Sequence, residues 1–150
     1  MAVHGFQFGA ALQPAHYLAE DLDAELEAVY RHPDADTFAG FAVVLSQQNL
    51  EHTRNIHQTM TLALNSLPPG QAQRPHRHNS MALTLCLQGE QCFSMIDGQR
   101  KDWQQHAVML TPPGAAHSHH NDGDERMRCL IVQDGGLYYH ARTMGFEFAD

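Results

Sequence analysis

Twelve histidines stand in a chain of 150 residues that holds nine lysines and arginines in all. Neutral imidazole is the commonest metal-ligating side chain, so the first question is whether any of the twelve are spaced to share an ion. His76 and His78 are two apart and follow Pro75 directly. Proline holds an extended backbone and offers no N–H. On a strand, residues i and i+2 project from the same face, so both imidazoles enter one interior space. His117 follows the Pro112–Pro113–Gly114 turn. A third imidazole from a different strand gives a facial site, with one side of the ion held and the other open. Three neutral ligands leave a divalent ion its full charge. Imidazole suits iron, zinc, copper and nickel, and three-histidine zinc is also a hydrolytic arrangement. His119 shares strand parity with His117 and is the candidate catalytic group, able to accept a hydroxyl proton or to hydrogen-bond a bound reactant. Asn121 is a candidate for fixing an imidazole's orientation. His120 is expected to face the other way, and His4, His16, His32, His52, His57, His106 and His140 to be solvated or locally bonded.

The elements that must hold these side chains are mostly strands. Leu22, Leu26, Val29 and Tyr30 recur at helical spacing, with acidic residues crowding the first turns, and predict a helix over Leu18–Arg31. The grammar then becomes β. Strands are expected at Phe41–Ser46, Ile56–Leu67, Met81–Leu87, Gln91–Ile96, Gln99–Trp103, Ala107–Thr111, His117–Asn121 and Met127–Gln133, with a polar loop at Gln48–Asn55. Asp97–Gly98 is a strong hairpin signal. Leu137, Tyr138, Tyr139, Phe146 and Phe148 predict a tail that packs back on the domain. Many short strands punctuated by Gly and Pro mean an all-β sandwich or barrel. We expect one structural domain, with an arm and helix in residues 1–40 and a barrel with a C-terminal tail in residues 41–150. Met81, Leu83, Leu85 and Leu87 lie opposite the ligand face, so the helix or a second subunit must cover them, and a homodimer is expected.

Composition excludes several partner classes. The net charge is −8 and Lys101 is the single lysine, which argues against nucleic acid, whose phosphates want clustered Lys and Arg. No apolar run is long enough for a membrane helix. His4, Gly5, Gln7 and Gln13 interrupt any signal-like stretch, and the expected location is the cytoplasm. Cys86, Cys92 and Cys129 form no CxxC pair and read as buried thiols.

The spacing narrows further. Gly70, five residues, His76, one, His78, three, Ala82, six, Gly89 is one motif; Pro112, one, Gly114, two, His117, three, Asn121 is a second. Together they resemble the two cupin motifs, and the resemblance runs from about Thr59 to Gln133. It implies a small antiparallel jelly-roll barrel with a metal near its centre. Leu67–Pro68–Pro69–Gly70, Pro75–His76–Arg77–His78, Ile96–Asp97–Gly98, Thr111–Pro112 and His117–Ser118–His119 resemble the gentisate dioxygenase group. Asp102–Trp103 and Asp134 through Gly145 resemble the second cupin of those two-cupin enzymes, implying a single-cupin relative. The resemblance implies metal ligation by His76, His78 and His117, a functional His119, and Fe(II) as the ion, with zinc, nickel or manganese able to occupy the site on isolation. It implies oxidative cleavage of a hydroxylated aromatic acid or phenolic. A cupin isomerase, cyclase or lyase, and a cupin that binds metal or a small ligand without turnover, are the rival readings. Ala82 stands where many cupins carry a glutamate ligand, and His106 where a glycine opens the second motif. Ser80 and Thr84 stand where the gentisate group places a glutamine and a carboxylate-binding arginine. Arg54, Arg74, Arg126 and Arg128 are the candidate replacements.

Overall fold

The structure, a computed structural model, describes residues 14–35 and 40–149. Helix α1 (Ala19–Tyr30) leads into strands β1 (Phe41–Leu45), β2 (Thr61–Leu67), β3 (His76–His78), β4 (Ala82–Gln88), β5 (Cys92–Ile96), β6 (Gln99–Asp102), β7 (Val108–Thr111), β8 (His117–Asn121) and β9 (Met127–Gln133). Helix α2 (Gly135–Ala141) and strand β10 (Phe146–Phe148) follow. The strands form two antiparallel five-stranded sheets, β1-β2-β9-β4-β7 and β10-β3-β8-β5-β6. This is the expected all-β jelly roll with one helix near the N-terminus. Three parts of the chain differ from the sequence expectation. Gln48–Thr53 is a short 3-10 helix rather than a loop. β2 starts at Thr61, because His57 and Met60 close a tight turn through His57 N–H to Met60 O (3.2 Å) and Met60 N–H to His57 O (3.1 Å). The tail does pack back, but as α2 and a strand, β10, that pairs with β3. His4 lies outside the described residues.

β4 alternates with small side chains inward. Ala82, Thr84 and Cys86 are buried, while Leu83 on the opposite face is exposed. The hydrogen-bonded register carries that alternation across the sheet. Ala82 pairs with Thr111 and Gln133, and Leu83 with Leu110 and Val132. The barrel interior is therefore lined by small and polar groups, and the leucines form its outer wall. α1 packs along β1. Leu26, Leu45 and Leu64 are buried there, and Tyr30 donates from its hydroxyl to Ser66. Arg128 reaches Asp23 at 2.7 Å, and Arg126 pairs with Glu27 while lying over the Tyr30 ring. The helix thus covers one side of the outer wall. Leu110 and Val108, on β7, stay 53% and 63% exposed, so the helix does not supply the cover expected over β4.

Two left-handed positions close turns. Asp97 (φ 46°) and Gly98 (φ 76°) make the predicted two-residue hairpin between β5 and β6. His106, where the second motif usually opens with glycine, takes φ 65°, the conformation glycine would have supplied. The three cysteines are free and buried. Among the described residues, no helix is long and apolar enough to cross a membrane. The anchoring of α1 has a direct test. Leu26 is 1% exposed, so Leu26→Ala is expected to cost about 2–5 kcal/mol in chemical denaturation. A loss under about 1 kcal/mol would show that α1 is not part of the cooperative fold.

Candidate metal centre

β3 and β8 share the pair His76↔His117 in antiparallel register, which sets those two rings 4.3 Å apart between centroids. His78, two residues on, lies 4.8 Å from His117 edge-on. All three are buried, and one potential ligand atom from each lies within 4.8 Å of the others. Each ring is tied through Nδ1 to a backbone carbonyl: His76 to Arg74 (3.0 Å), His78 to Ser80 (2.8 Å) and His117 to Ala115 (2.9 Å). A carbonyl can only accept, so each Nδ1 carries the proton and each Nε2 keeps its lone pair. This tether fixes a ligating histidine's tautomer and orientation. Burial lowers the pKa of His76 and His78, and pushes His117 down to about 4. Protons therefore compete poorly for these lone pairs at neutral pH. The donor set fits a divalent ion that accepts nitrogen ligands.

His119 is buried beside this trio, its ring 6.2 Å from that of His117, and is not one of the three converging groups. Its Nδ1 lies 2.7 Å from Ser94 Oγ, and Trp103 Nε1 donates to the same oxygen at 2.9 Å. Indole N–H is donor-only, so Ser94 accepts from Trp103. The buried Ser94 hydroxyl still has one proton to place, and His119 Nδ1 is the acceptor beside it among the described residues. His119 therefore carries its proton on Nε2. Burial pushes its pKa down to about 3, so the ring is neutral. Of the two roles open to His119 in the sequence, this tautomer favours the hydrogen-bond donor.

Other sequence candidates fall elsewhere. Asn121 donates to Leu67 O and Glu125 O and accepts from Gly123 N–H. It staples loops, and its hydrogen bonds go to backbone and to the Cys92 thiol rather than to an imidazole, which corrects its expected role. Arg126 and Arg128 point to α1, and Arg74 lies 3.8 Å over the Phe148 ring. His120 faces away, stacked on Phe93 at 4.5 Å, as expected. Ser80 supports His78 through its carbonyl and hydroxyl.

The sequence reading missed three groups. Gln133, at the end of β9, brings its amide nitrogen 3.3 Å from His78 Nε2. Its inward parity with Cys129 and Ile131 was the available signal. Tyr139 and Phe146 come from the tail to line the same cavity, of about 280 Å³, and Phe146 stacks on His76 at 5.2 Å. The hydroxyls of Thr84 and Thr111 line it too, buried and without a hydrogen-bond partner.

The family profile of the cupin domain matches residues 63–133, a stretch that holds all three converging histidines. The chain carries a cupin domain. It is 30% identical to a gentisate 1,2-dioxygenase of Haloferax sp. over 87% of this chain and 37% of that protein. It is also 30% identical to a 1-hydroxy-2-naphthoate 1,2-dioxygenase of Nocardioides sp. strain KP7, over 59% of this chain and 23% of that one. The crystal structure of a salicylate 1,2-dioxygenase from Pseudaminobacter salicylatoxidans shares the fold. Its TM-score is 0.74 at 22% identity, over 86% of this chain and 38% of that one. The chain spans well under half the length of these relatives. The resemblance to the gentisate dioxygenase group thus extends over both cupin motifs, and the named relatives are oxidoreductases.

Two measurements probe this centre. His117→Ala is expected to reduce bound metal from about one ion per chain to a small fraction, by elemental analysis after reconstitution; unchanged metal content would refute the ligand set. Long-range imidazole ¹⁵N spectra should report His119 as the neutral Nε2–H tautomer, and Ser94→Ala should mix in the Nδ1–H form, because the hydroxyl that donates to Nδ1 is then gone.

Proposed function

We propose that the chain is an Fe(II)-dependent ring-cleaving dioxygenase of a hydroxylated aromatic acid or related phenolic, with His76, His78 and His117 as the metal ligands. The observation that carries this reading is the convergence of three neutral, carbonyl-tethered imidazoles on one side of a shared cavity. An iron(II) ion held there would supply the electron-rich centre at which an anionic oxygen substrate and dioxygen can react. The chain's own contribution is positioning. The open side faces a cavity walled by small residues (Ala42, Ala63, Ala82) and by Ile131, Tyr139, Met144 and Phe146. That space admits one aromatic ring. His119, with its proton on Nε2, donates a hydrogen bond to an anionic oxygen of a bound reactant. Thr84 and Thr111 offer two further hydroxyls that have no partner within the protein. Gln133 occupies the His78 lone pair through its amide and must turn aside when that position is taken.

The three free thiols fit a reducing cytoplasm. A second copy of the chain is the cover we assign to the bare outer wall around Leu83 and Leu110, which pair across β4 and β7. Leu110→Glu is accordingly expected to shift the protein from dimer to monomer in sedimentation velocity; a wild-type monomer would remove that assignment.

Anaerobic reconstitution with Fe(II), then oxygen uptake with gentisate, salicylate, 1-hydroxy-2-naphthoate and catechols, tests the activity. We expect stoichiometric uptake and a ring-opened product with at least one of them. His119→Ala should lower kcat by about 10²-fold, the cost typical of losing one preorganised donor, with iron content unchanged. Tight iron binding without uptake on any of these compounds would sink the dioxygenase reading.

A further inference from the structure

A second cavity, of about 650 Å³, opens beside the first. Thr61, Ala63, Gln133 and Tyr139 line both, so those four side chains form the partition between them. The chemistry on the two sides differs sharply. The metal cavity has no lysine or arginine in its wall, and the second is lined by Arg54, Arg142, His52 and His140. No aspartate or glutamate lines either one. In a chain of net charge −8, this is a cationic pocket against an acidic background.

The two arginines share an unusual backbone position. Arg54 ends the 3-10 helix Gln48–Thr53 and Arg142 ends α2, both with φ 57°. Glycine is the usual residue at a left-handed helix cap, because a Cβ there is strained. Here both caps carry arginine, and both face one cavity. Arg31, Arg77, Arg100, Arg126 and Arg128 each pair with a carboxylate. Among the described residues, Arg54 and Arg142 enter no ion pair.

We propose that this basic cavity seats an anionic tail of the substrate. The substrate is then a phenolic ring that carries its carboxylate on a short flexible side chain, with its hydroxyl-bearing edge at the three histidines and its carboxylate between Arg54 and Arg142. This rests on the reading of the histidine cavity as the site where the ring binds. Gln133 divides the two halves, its amide lying near His78 on one side and its oxygen 3.5 Å from the Thr61 hydroxyl, and a ligand spanning both cavities displaces it. The arrangement gives a carboxylate seat to a chain that has Thr84 where the gentisate group places its arginine.

Anaerobic calorimetry on the Fe(II)-loaded full chain tests it, with dihydrocaffeate (a catechol bearing a propanoate side chain), its methyl ester and methylcatechol as probes. We expect the acid to bind about tenfold tighter than the ester, a gain typical of charge-assisted hydrogen bonds, and the gain to shrink as salt is added. Arg54→Asn with Arg142→Asn should abolish that preference while metal content and methylcatechol affinity hold. Asparagine tolerates the left-handed backbone, so the fold is kept. Arg54→Lys with Arg142→Lys should retain part of the preference. Equal affinity for acid and ester in the wild type, an unchanged preference in the asparagine variant, or no binding of any probe would each overturn the proposal. Because these affinities need no turnover, a chain that consumes no oxygen yet prefers the acid would lose the dioxygenase reading and keep the anionic seat.

Discussion

The backbone carbonyls of Arg74, Ser80 and Ala115 each accept the Nδ1 proton of one histidine, and these bonds decide what the imidazoles can do. A buried imidazole with both nitrogens free could adopt either tautomer and swing about its side-chain torsions. Tethered this way, His76, His78 and His117 present only Nε2 lone pairs to a shared volume. Each tether is made to a residue two positions away in the same chain segment. The orientation is therefore a local property of three extended segments, and the barrel need only bring the segments together. It does so through one cross-strand pair, His76↔His117. β3 is a three-residue strand, and β10 covers its other edge.

The interior divides into a packed floor and an open upper half. Leu67, Cys92, Met127 and Cys129 form a buried cluster, with Phe41 and Trp103 packed against it. Asn121 closes the same region by bonding three loop backbones from a fully buried position. Above it, the inward positions are small or polar apart from Ile131, so no leucine fills the space at the histidines. A core surrendered there has to be rebuilt outside, and α1 does this over β1 and β2. Buried polar groups are costly unless bonded, and those around the histidines are bonded with few exceptions. Thr84 and Thr111 are exceptions, and both face the cavity.

Proton placement separates the roles of the four buried histidines. Three are held as acceptors toward the cavity, while His119, held by Ser94 and Trp103, is a donor. The Trp103 indole packs against the floor and also donates to Ser94, the hydroxyl bonded to His119 beside the metal cavity, linking the packing of one half to the chemistry of the other. Positive charge is absent from the first cavity's protein wall and concentrated in the second. A ligand spanning both would meet neutral orienting groups at its ring and cations at its tail.

The sequence by itself determined whatever follows from backbone geometry over a few residues. His76 and His78 had to share a face, His120 had to oppose His119, and Asp97–Gly98 had to turn the chain. The resemblance carried by the two motifs implied the jelly roll and the three converging histidines. Only the tertiary structure decided which distant residues join them. Gln133, Tyr139 and Phe146 reach the cavity because β9 and the returning tail settle in a particular register, and nothing in their local sequence marks them as neighbours of a histidine. Arg54, a candidate among four, lines the adjoining cavity, while Arg126 and Arg128 turn to carboxylates on α1. Arg142 became visible only when α2 ended beside the 3-10 helix. Parity and turn chemistry are local and can be read along the chain, whereas a pocket is made by strand pairings and loop closures between residues far apart in it.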